Sequence, residues 1–386
     1  QIASKEDFYM RPREIRRINL NLAAGANLQI AAPRRVGKSS ILYYFLDKPE
    51  EGFIHLYFQV ESARSKNEFY RKIYKEIIKS DAVGTGKKFL EQLKAAKNAF
   101  LNRLKGIKIA GSGLDFQDAE DIDYEEELLD LLQGLDLGGD KLVLMIDEFP
   151  EVILNIVEEH QGDTTEAKKF LQSNRELRNN ANLKGRVQFI YTGSNSLNLT
   201  VGNLDSSSLI NDLAAIPVLP LQQEEAKDML ISILQTYGYS LTSEIADYVI
   251  TRVEWMIPFY FQLIIHEIIN DIGPGDEVSK AVVDRAFEAS LEQRNDHHFE
   301  HYVKRLKRVF TESEQQFIKI FLCALAGRDE MDRNEVLNLA TDILPEDQTR
   351  RLLEALKYDG YIINLTNAVY KFNSPILKNW WKNHEC

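Results

Sequence analysis

The chain has 386 residues, which predicts two or three domains, and its 44% hydrophobic and 27% charged residues are typical of a protein with buried cores. It shows no apolar run long enough to span a bilayer and no signal peptide, so we expect a cytoplasmic protein without membrane contact. The net charge of −12 excludes affinity of the whole surface for nucleic acid, and Cys323 and Cys386 predict neither a disulfide framework nor a metal site.

The first part of the chain alternates β-type runs with helical patterns, which predicts an α/β fold whose parallel sheet has helices on both faces. Several runs are almost continuously apolar, as in strands buried on both faces. The predicted strands are 27–32, 53–61, 141–147, 186–192 and 214–221. A region inserted at about 84–125 contains Gly111-Ser112-Gly113, which indicates a hairpin.

Helical patterns dominate after residue 221, at 223–237, 243–253, 258–272 and 278–293. Further helices at about 312–326, 332–340 and 346–358 precede two short strands at 360–364 and 369–373, an order typical of a winged helix. We therefore predict four parts: an ATPase core at 1–221, a helical lid at 222–296, a linker at 297–309 and a winged-helix domain at 310–386.

A phosphate-binding loop is predicted where the first strand meets the next helix. Backbone N–H groups and the helix dipole favour polyphosphate there, Lys38 is expected to reach the β and γ phosphates, and the Ser39 hydroxyl to coordinate Mg²⁺. Ala32 replaces the first glycine of the pattern, which matters only if its φ must be positive. A chance Gly-Lys-Ser is the alternative, but the flanking strand and helix favour phosphate binding. The residues of the predicted loop are Pro33, Arg34, Arg35, Val36, Gly37, Lys38, Ser39 and Ser40.

The apolar run before Asp147 and Glu148 predicts the acidic half of the same site. A carboxylate at the end of a buried parallel strand lies beside the phosphate loop in this fold class. Asp147 is expected to hold Mg²⁺ through water, and Glu148 to polarise the attacking water. The alternative is a strand that ends in acidic residues because it reaches solvent.

Polar residues after the next strand give weaker candidates. Ser194 and Asn195 are expected to contact the γ-phosphate or the attacking water, with an ordinary turn as the alternative. Arg178 is expected to supply charge to a phosphate, with a solvated surface arginine as the alternative. His297, His298 and His301 have no partners at metal-ligand spacing, so we interpret them as solvated residues of a linker.

These motifs resemble the archaeal-type ATPase branch of the AAA+ and STAND P-loop NTPases. The resemblance depends on APRRVGKSS, LVLMIDEFP, RVQFIYTGSNS and the FYMRPRE segment, and extends to VLPLQQEEA and Ile257-Pro258-Phe259-Tyr260. It implies binding of ATP and ADP with Mg²⁺, a winged helix as a frequent companion, Arg11 and Glu14 in a segment that closes over the nucleotide, and Pro258 near the bound phosphate. Met10 and Met256 replace glycines that are common in the family.

Two functions follow from this interpretation. The first is a nucleotide-driven switch whose winged helix reports to a protein partner or to a second copy of the chain. The second is an ATPase that binds duplex DNA through 301–386, where 13 Lys and Arg stand against 12 Asp and Glu. The expected basic patch consists of Lys304, Arg305, Lys307, Arg308, Arg350 and Arg351. A nucleotide binder that does not hydrolyse is a third alternative, opposed by the presence of Lys38, Asp147 and Glu148.

Overall fold

The computed structural model describes residues 9, 11–80, 87–106, 122–193, 197–365 and 368–386, which fall into two compact units. The first unit contains Lys38–Val218 with the helix and strand that end at Ala31. The second contains Leu219–Cys386 together with the loop residues Ala32–Gly37. The predicted hairpin at 111–113 lies outside the described residues, and the predicted four-part division stays a prediction.

The first unit consists of a sheet and the helices that cover it. Its strands are β1 (Asn27–Ala31), β2 (Phe53–Gln59), β3 (Lys141–Asp147), β4 (Val187–Tyr191) and β5 (Leu213–Pro217). Its helices are α1 (Pro12–Ala23), α2 (Lys38–Asp47), α3 (Lys66–Lys79), α4 (Lys87–Gly106), α5 (Tyr124–Gly134), α6 (Phe149–Glu159), α7 (Thr165–Arg178) and α8 (Leu197–Gly202).

All five strands are parallel and follow the order β2-β3-β4-β1-β5. The predicted α/β fold is therefore confirmed. β4 lies between β1 and β3, so the carboxyl ends of these three strands are adjacent. This edge of the sheet carries the loop after β1 and the acidic end of β3.

Burial explains why these segments fold as they do. Every residue of β3 after Lys141 is buried, as expected of a central parallel strand. The helices are amphipathic instead: α3 buries Phe69, Tyr70 and four other residues on one face, and the Ser65 side chain caps its first turn. Phe69 also packs edge-on against Phe149 of α6 and Phe170 of α7, so the three helices share one core.

The second unit is mostly helical. Its helices are α9 (Gln223–Thr236), α10 (Ser243–Val253), α11 (Pro258–Asp271), α12 (Lys280–Ala289), α13 (Glu300–Val309), α14 (Glu312–Ala326), α15 (Arg333–Ala340), α16 (Glu346–Tyr358) and α17 (Pro375–His384). Its strands are β6 (Met331–Asp332), β7 (Ile362–Leu365) and β8 (Val369–Phe372), which form an antiparallel sheet in the order β6-β8-β7. Three helices, α14 to α16, followed by the β7–β8 hairpin are the elements predicted for a winged helix.

The expectation that the two cysteines stay unpaired was wrong. Cys323 of α14 and Cys386 form a disulfide, with a Cα–Cα distance of 5.4 Å. Packing of α17 against α14 brings the end of the chain to Cys323, and the 63 residues between the cysteines hide this in the sequence. Separately, none of the described helices is both long and apolar enough to cross a membrane.

Candidate functional site

The predicted phosphate loop lies between Ala31, where β1 ends, and Lys38, where α2 begins. The middle of β1 is buried, and α2 buries Ile41, Leu42 and Phe45, so packing fixes both ends of the loop. The first N–H groups of a helix have no partner inside it and lie at the positive end of its dipole. The start of α2 is therefore suited to an anion such as a phosphate group.

Two loop residues have positive φ, and Ala32 is not one of them. The φ angle is 99° at Gly37 and 64° at Arg35. Replacing the first glycine of the pattern by Ala32 thus imposes no backbone strain. Arg35 is the unusual position, because a β-carbon disfavours left-handed backbone.

The loop helix and the acidic strand meet at a hydrogen bond. The Ser39 hydroxyl donates to Asp147 Oδ2 at 2.7 Å, although 108 residues separate the two. Tyr57, near the carboxyl end of β2, donates its hydroxyl to the same oxygen at 3.0 Å. Three oxygen-bearing groups therefore converge at one point, and sequence reasoning missed Tyr57. The β2–β3 register aligns Tyr57 with Met145, only two residues before Asp147, and this pairing is visible in the structure but not in the sequence.

Asp147 is buried, with the negative charge of Glu148 and the positive charge of Lys38 nearby. Burial and the neighbouring Glu148 raise its pKa, while hydrogen bonds from Ser39 and Tyr57 and the charge of Lys38 oppose the rise. The side chain is 3% exposed. Such a carboxylate gains from any additional cation, and carboxylate and hydroxyl oxygens are the ligands that Mg²⁺ prefers. No group of three or more His, Cys, Asp or Glu side chains that could hold a metal ion occurs among the described residues.

Glu148 occupies a strained backbone position. Its φ is 62°, and it precedes the first residue of α6. Non-glycine residues in this region cost about 1–3 kcal/mol and cluster at functional sites. The turn is packed against Gly193, where a β-carbon would lie 2.5 Å from Pro150 Cδ. Gly193 is thus needed for the close approach of the two strand ends, and only the glycine itself signals this role in the sequence.

The end of β4 supplies one polar group that the structure describes. The Thr192 hydroxyl is buried and has no hydrogen-bond partner among the described residues. Its carbonyl accepts the N–H of Phe149, and its own N–H donates to Ile146, so its backbone ties β4 to β3 and α6. Ser194 and Asn195 lie outside the described residues, and their predicted contacts stay predictions.

The structure corrects the interpretation of Arg178. Its guanidinium binds both oxygens of Asp212, at 2.8 and 2.9 Å, and donates to the Leu209 carbonyl at 2.8 Å. It also stacks over the Tyr191 ring at 5.3 Å. Burial alone would lower the pKa of Arg178, but Tyr191 and Asp212 outweigh burial and raise it. Arg178 therefore holds α7 to the segment before β5, and its charge is already neutralised by Asp212.

The expectation that all three histidines are solvated was wrong for His301. In the second unit, Arg35 Nη2 lies 3.3 Å from His301 Nδ1, and the Arg35 guanidinium stacks over Phe259 at 3.9 Å. His301 is half-buried, whereas His297 is exposed. Phe259 and His301 were missed because 224 and 266 residues separate them from Arg35, and only the neighbouring Pro258 had been singled out.

The other residues predicted to contact nucleotide lie at the start of helices or in the loop. Arg11 is buried just before α1 and lies 3.8 Å from Glu14, and Pro258 is the first residue of α11. Lys38 is 7% exposed, and Ser40 is buried beside it. Pro33, Arg34 and Val36 belong to the loop itself.

The basic residues predicted to contact DNA are largely paired with carboxylates. Arg305 forms a buried ion pair with Asp359, so it was wrongly assigned to a surface patch. On α16, Arg350 binds Glu346, and Arg351 lies 3.9 Å from Asp347. Lys304 pairs with Glu300 at 2.8 Å. Their charges are therefore neutralised locally, which weakens the potential that phosphate groups require.

Comparison with known proteins identifies the fold. No family model and no curated protein sequence matches the chain. The Walker-type ATPase PABY2304 of Pyrococcus abyssi has a similar structure, with a TM-score of 0.63 and 18% identity over 97% of this chain and 96% of that chain. The ORC2 protein of Aeropyrum pernix, solved as ADPNP-ADP complexes, has a TM-score of 0.52 and 14% identity over 96% of this chain and 91% of that chain. The chain thus has the α/β fold of AAA+ P-loop ATPases.

Proposed function

We propose that the chain binds ATP at residues 33–40 and hydrolyses it with Mg²⁺. The observation that carries the proposal is the 2.7 Å hydrogen bond from Ser39 to Asp147. It joins a helix N-terminus that follows a Gly-Lys-Ser loop to the acidic end of a buried strand. These are the two halves that phosphoryl transfer in P-loop ATPases requires.

Each side chain has a distinct task in this proposal. Lys38 contributes its charge to the β and γ phosphates, and Ser39 and Asp147 hold the metal, the latter through water. Bound Mg²⁺ would neutralise charge that develops on the phosphate oxygens. Glu148 orients the attacking water and accepts its proton. The backbone strain at Glu148 supports this role, because the turn with Gly193 fixes the carboxylate's point of attachment.

We propose further that ATP works as a switch of the AAA+ or STAND type, whose state the C-terminal module reports to a protein partner or a second copy of the chain. The paired charges of α16 support a protein partner. A DNA-binding ATPase resembling replication initiators is the second candidate. Salt-sensitive binding to duplex DNA in a filter assay, lost on Arg350→Glu with Arg351→Glu, would establish that candidate instead.

Measuring ATP hydrolysis by a Glu148 variant tests the proposal. Glu148→Gln keeps the shape of the side chain but cannot take up the proton, so Mg²⁺-dependent turnover should fall by roughly 10²-fold or more while ATP still binds. Glu158→Gln, at an exposed residue of α6, the helix that follows Glu148, is the matched control and should keep wild-type turnover. Undiminished turnover in Glu148→Gln would remove Glu148 from the mechanism.

A further inference from the structure

The Arg35 side chain is held in a way that its loop alone does not explain. Its φ of 64° is left-handed, a conformation that costs a non-glycine residue about 1 kcal/mol or more. Such a conformation persists when side-chain contacts compensate for it. Both contacts that the structure shows come from the second unit, Phe259 at the start of α11 and His301 at the start of α13.

The hydrogen bond fixes the chemistry of His301. Burial, followed by the charges of Arg35 and Arg34, lowers the pKa of His301 to about 2, so the ring is neutral at physiological pH. Arg35 can only donate, so the Nδ1 atom that faces it must carry a lone pair. This contact requires the tautomer with its proton on Nε2, an atom that is buried without a hydrogen-bond partner among the described residues. His301 acts as a neutral acceptor and Phe259 as a ring face, and neither offers a negative charge.

Among the described residues, no acid is one of the ionisable groups that act on Arg35. The ionisable groups that act on it are Tyr302, Tyr260 and Arg34, and burial lowers its pKa. Its Nη1 atom is buried without a hydrogen-bond partner among the described residues. The buried Arg305 in the same unit is instead neutralised by Asp359. A desolvated guanidinium without a counter-charge gains strongly from an anion, and its planar donors match phosphate oxygens.

Arg35 is also three residues before Lys38 on the loop that we propose binds the triphosphate. We propose that Phe259 and His301 are affinity-determining residues of the nucleotide site, because they compete with the triphosphate for the Arg35 guanidinium. This inference rests on the proposed function. It makes α11 and α13 the elements that respond when nucleotide takes Arg35 from them.

Competition predicts an unusual outcome, namely tighter binding after residues are removed. When only a fraction of the molecules has a free Arg35, the apparent Kd is the intrinsic Kd divided by that fraction. A cation–π contact at a desolvated site is strong enough to shift such an equilibrium by roughly 10-fold. Removing it should tighten ATP binding by up to that factor.

The test is calorimetric titration of the full chain with ATP and Mg²⁺. Phe259→Leu keeps apolar volume but removes the ring face, and His301→Leu removes the acceptor without supplying another. Each should lower the Kd for ATP by roughly 3- to 10-fold, whereas a purely structural role would leave the Kd unchanged or raise it. Phe287→Leu is the matched control, because it breaks the Arg252–Phe287 cation–π contact of 4.4 Å in the same unit and should not change the Kd. His297→Leu controls for the same replacement at an exposed histidine.

A double-mutant cycle attributes the effect to Arg35. In an Arg35→Met background, Phe259→Leu should change the Kd less than 2-fold, since no guanidinium remains to be held. Unchanged or weaker ATP binding in both single variants would overturn the inference, and so would an equal effect of Phe259→Leu with and without Arg35. Absence of ATP binding by the wild-type chain would overturn the proposed function as well, so the two failures are distinguishable.

Discussion

Two arginines that the sequence analysis placed at the nucleotide site, Arg178 as a source of charge and Arg35 as a residue of the phosphate loop, have opposite surroundings. Both stack on an aromatic ring, Arg178 on Tyr191 and Arg35 on Phe259. Arg178 is in addition clamped by the two oxygens of Asp212, which with Tyr191 keeps its pKa above the ordinary value. Arg35 has no carboxylate among its described neighbours, and burial lowers its pKa. The charge of Arg178 is therefore already neutralised, whereas the charge of Arg35 is available to an anion.

The difference distinguishes a buried charge that stabilises the fold from a buried charge that can bind a ligand. A buried ion pair is strongly destabilised when one partner is removed, because the other is left uncompensated. A buried charge without a partner already bears that cost, and a ligand of opposite charge recovers it. Removing one partner of a buried pair should therefore change the free energy of unfolding. Removing a buried charge that has no partner should instead change the affinity for a ligand.

The largest effect is expected when the Arg178 pair is broken. Asp212→Asn should lower the free energy of unfolding by about 3–5 kcal/mol, as for other buried pairs. Chemical denaturation measures this. Asn211→Ala, which removes the exposed hydrogen bond to Arg175, is the neighbouring control and should cost less than about 1 kcal/mol. ATP affinity of folded Asp212→Asn should equal that of wild type, and a weakened affinity would return Arg178 to the nucleotide site.

Arg35→Met should behave in the opposite way. It removes a charge that lacks a carboxylate partner and keeps an apolar stem beside Phe259, so the free energy of unfolding should change by less than about 1 kcal/mol. The Kd for ATP should rise roughly 10-fold, because a charge-assisted contact to phosphate is lost. Denaturation and calorimetry on the same variant measure both. A large loss of stability with unchanged affinity would make Arg35 a second structural arginine.

Replacing Asp147 extends the comparison from the two arginines to a buried acid. We expect its effect to be smaller than those predicted for Asp212→Asn and Arg35→Met. The pKa of Asp147 is raised, so the folded state takes up the proton more readily than the unfolded state. Above the raised pKa, the ionised carboxylate of Asp147 therefore destabilises the folded state. This destabilisation disappears as the pH falls through the raised pKa toward the ordinary pKa of an aspartate. Asp147→Asn should be more stable than wild type at pH 7, and this advantage should shrink toward pH 4.

Asp163, an acid whose pKa is lowered instead of raised, provides the control. Hydrogen bonds from Thr165 lower the pKa of Asp163, so its ionised form stabilises the fold, and this contribution is lost as the pH falls through the lowered pKa. Asp163→Asn should thus be less stable than wild type at pH 7. Denaturation at the two pH values measures both variants. Equal pH dependence in the two would show that burial does not govern Asp147.

Local patterns predicted the sheet well, because buried parallel strands are apolar throughout. The predicted strand 141–147 coincides with β3, and the run before Gly193 ends within a residue of β4. The loop ending in Lys38 and Ser39 and the acidic pair Asp147 and Glu148 were also recognisable, since each depends on residues adjacent in sequence. Their hydrogen bond in the structure shows that the two motifs meet.

Contacts between distant residues could not be predicted in this way. Asp212 lies 34 residues beyond Arg178, and nothing in the helical pattern of α7 marks that arginine as paired. The Arg35–His301 contact spans 266 residues, and the cysteine pair spans 63. Each depends on which helix packs on which, information that periodicity does not contain.

The most direct test of the account is whether ATP binds through Lys38. Melting of the wild-type chain, Lys38→Ala and Lys48→Ala should be compared with and without ATP and Mg²⁺. Lys48 follows the same helix, α2, and is exposed, so its replacement should leave the ATP-dependent rise in Tm unchanged. Lys38→Ala should abolish that rise, because the charge that faces the phosphates is gone. If ATP stabilises Lys38→Ala as much as the wild-type chain, the nucleotide binds elsewhere and the central claim is wrong.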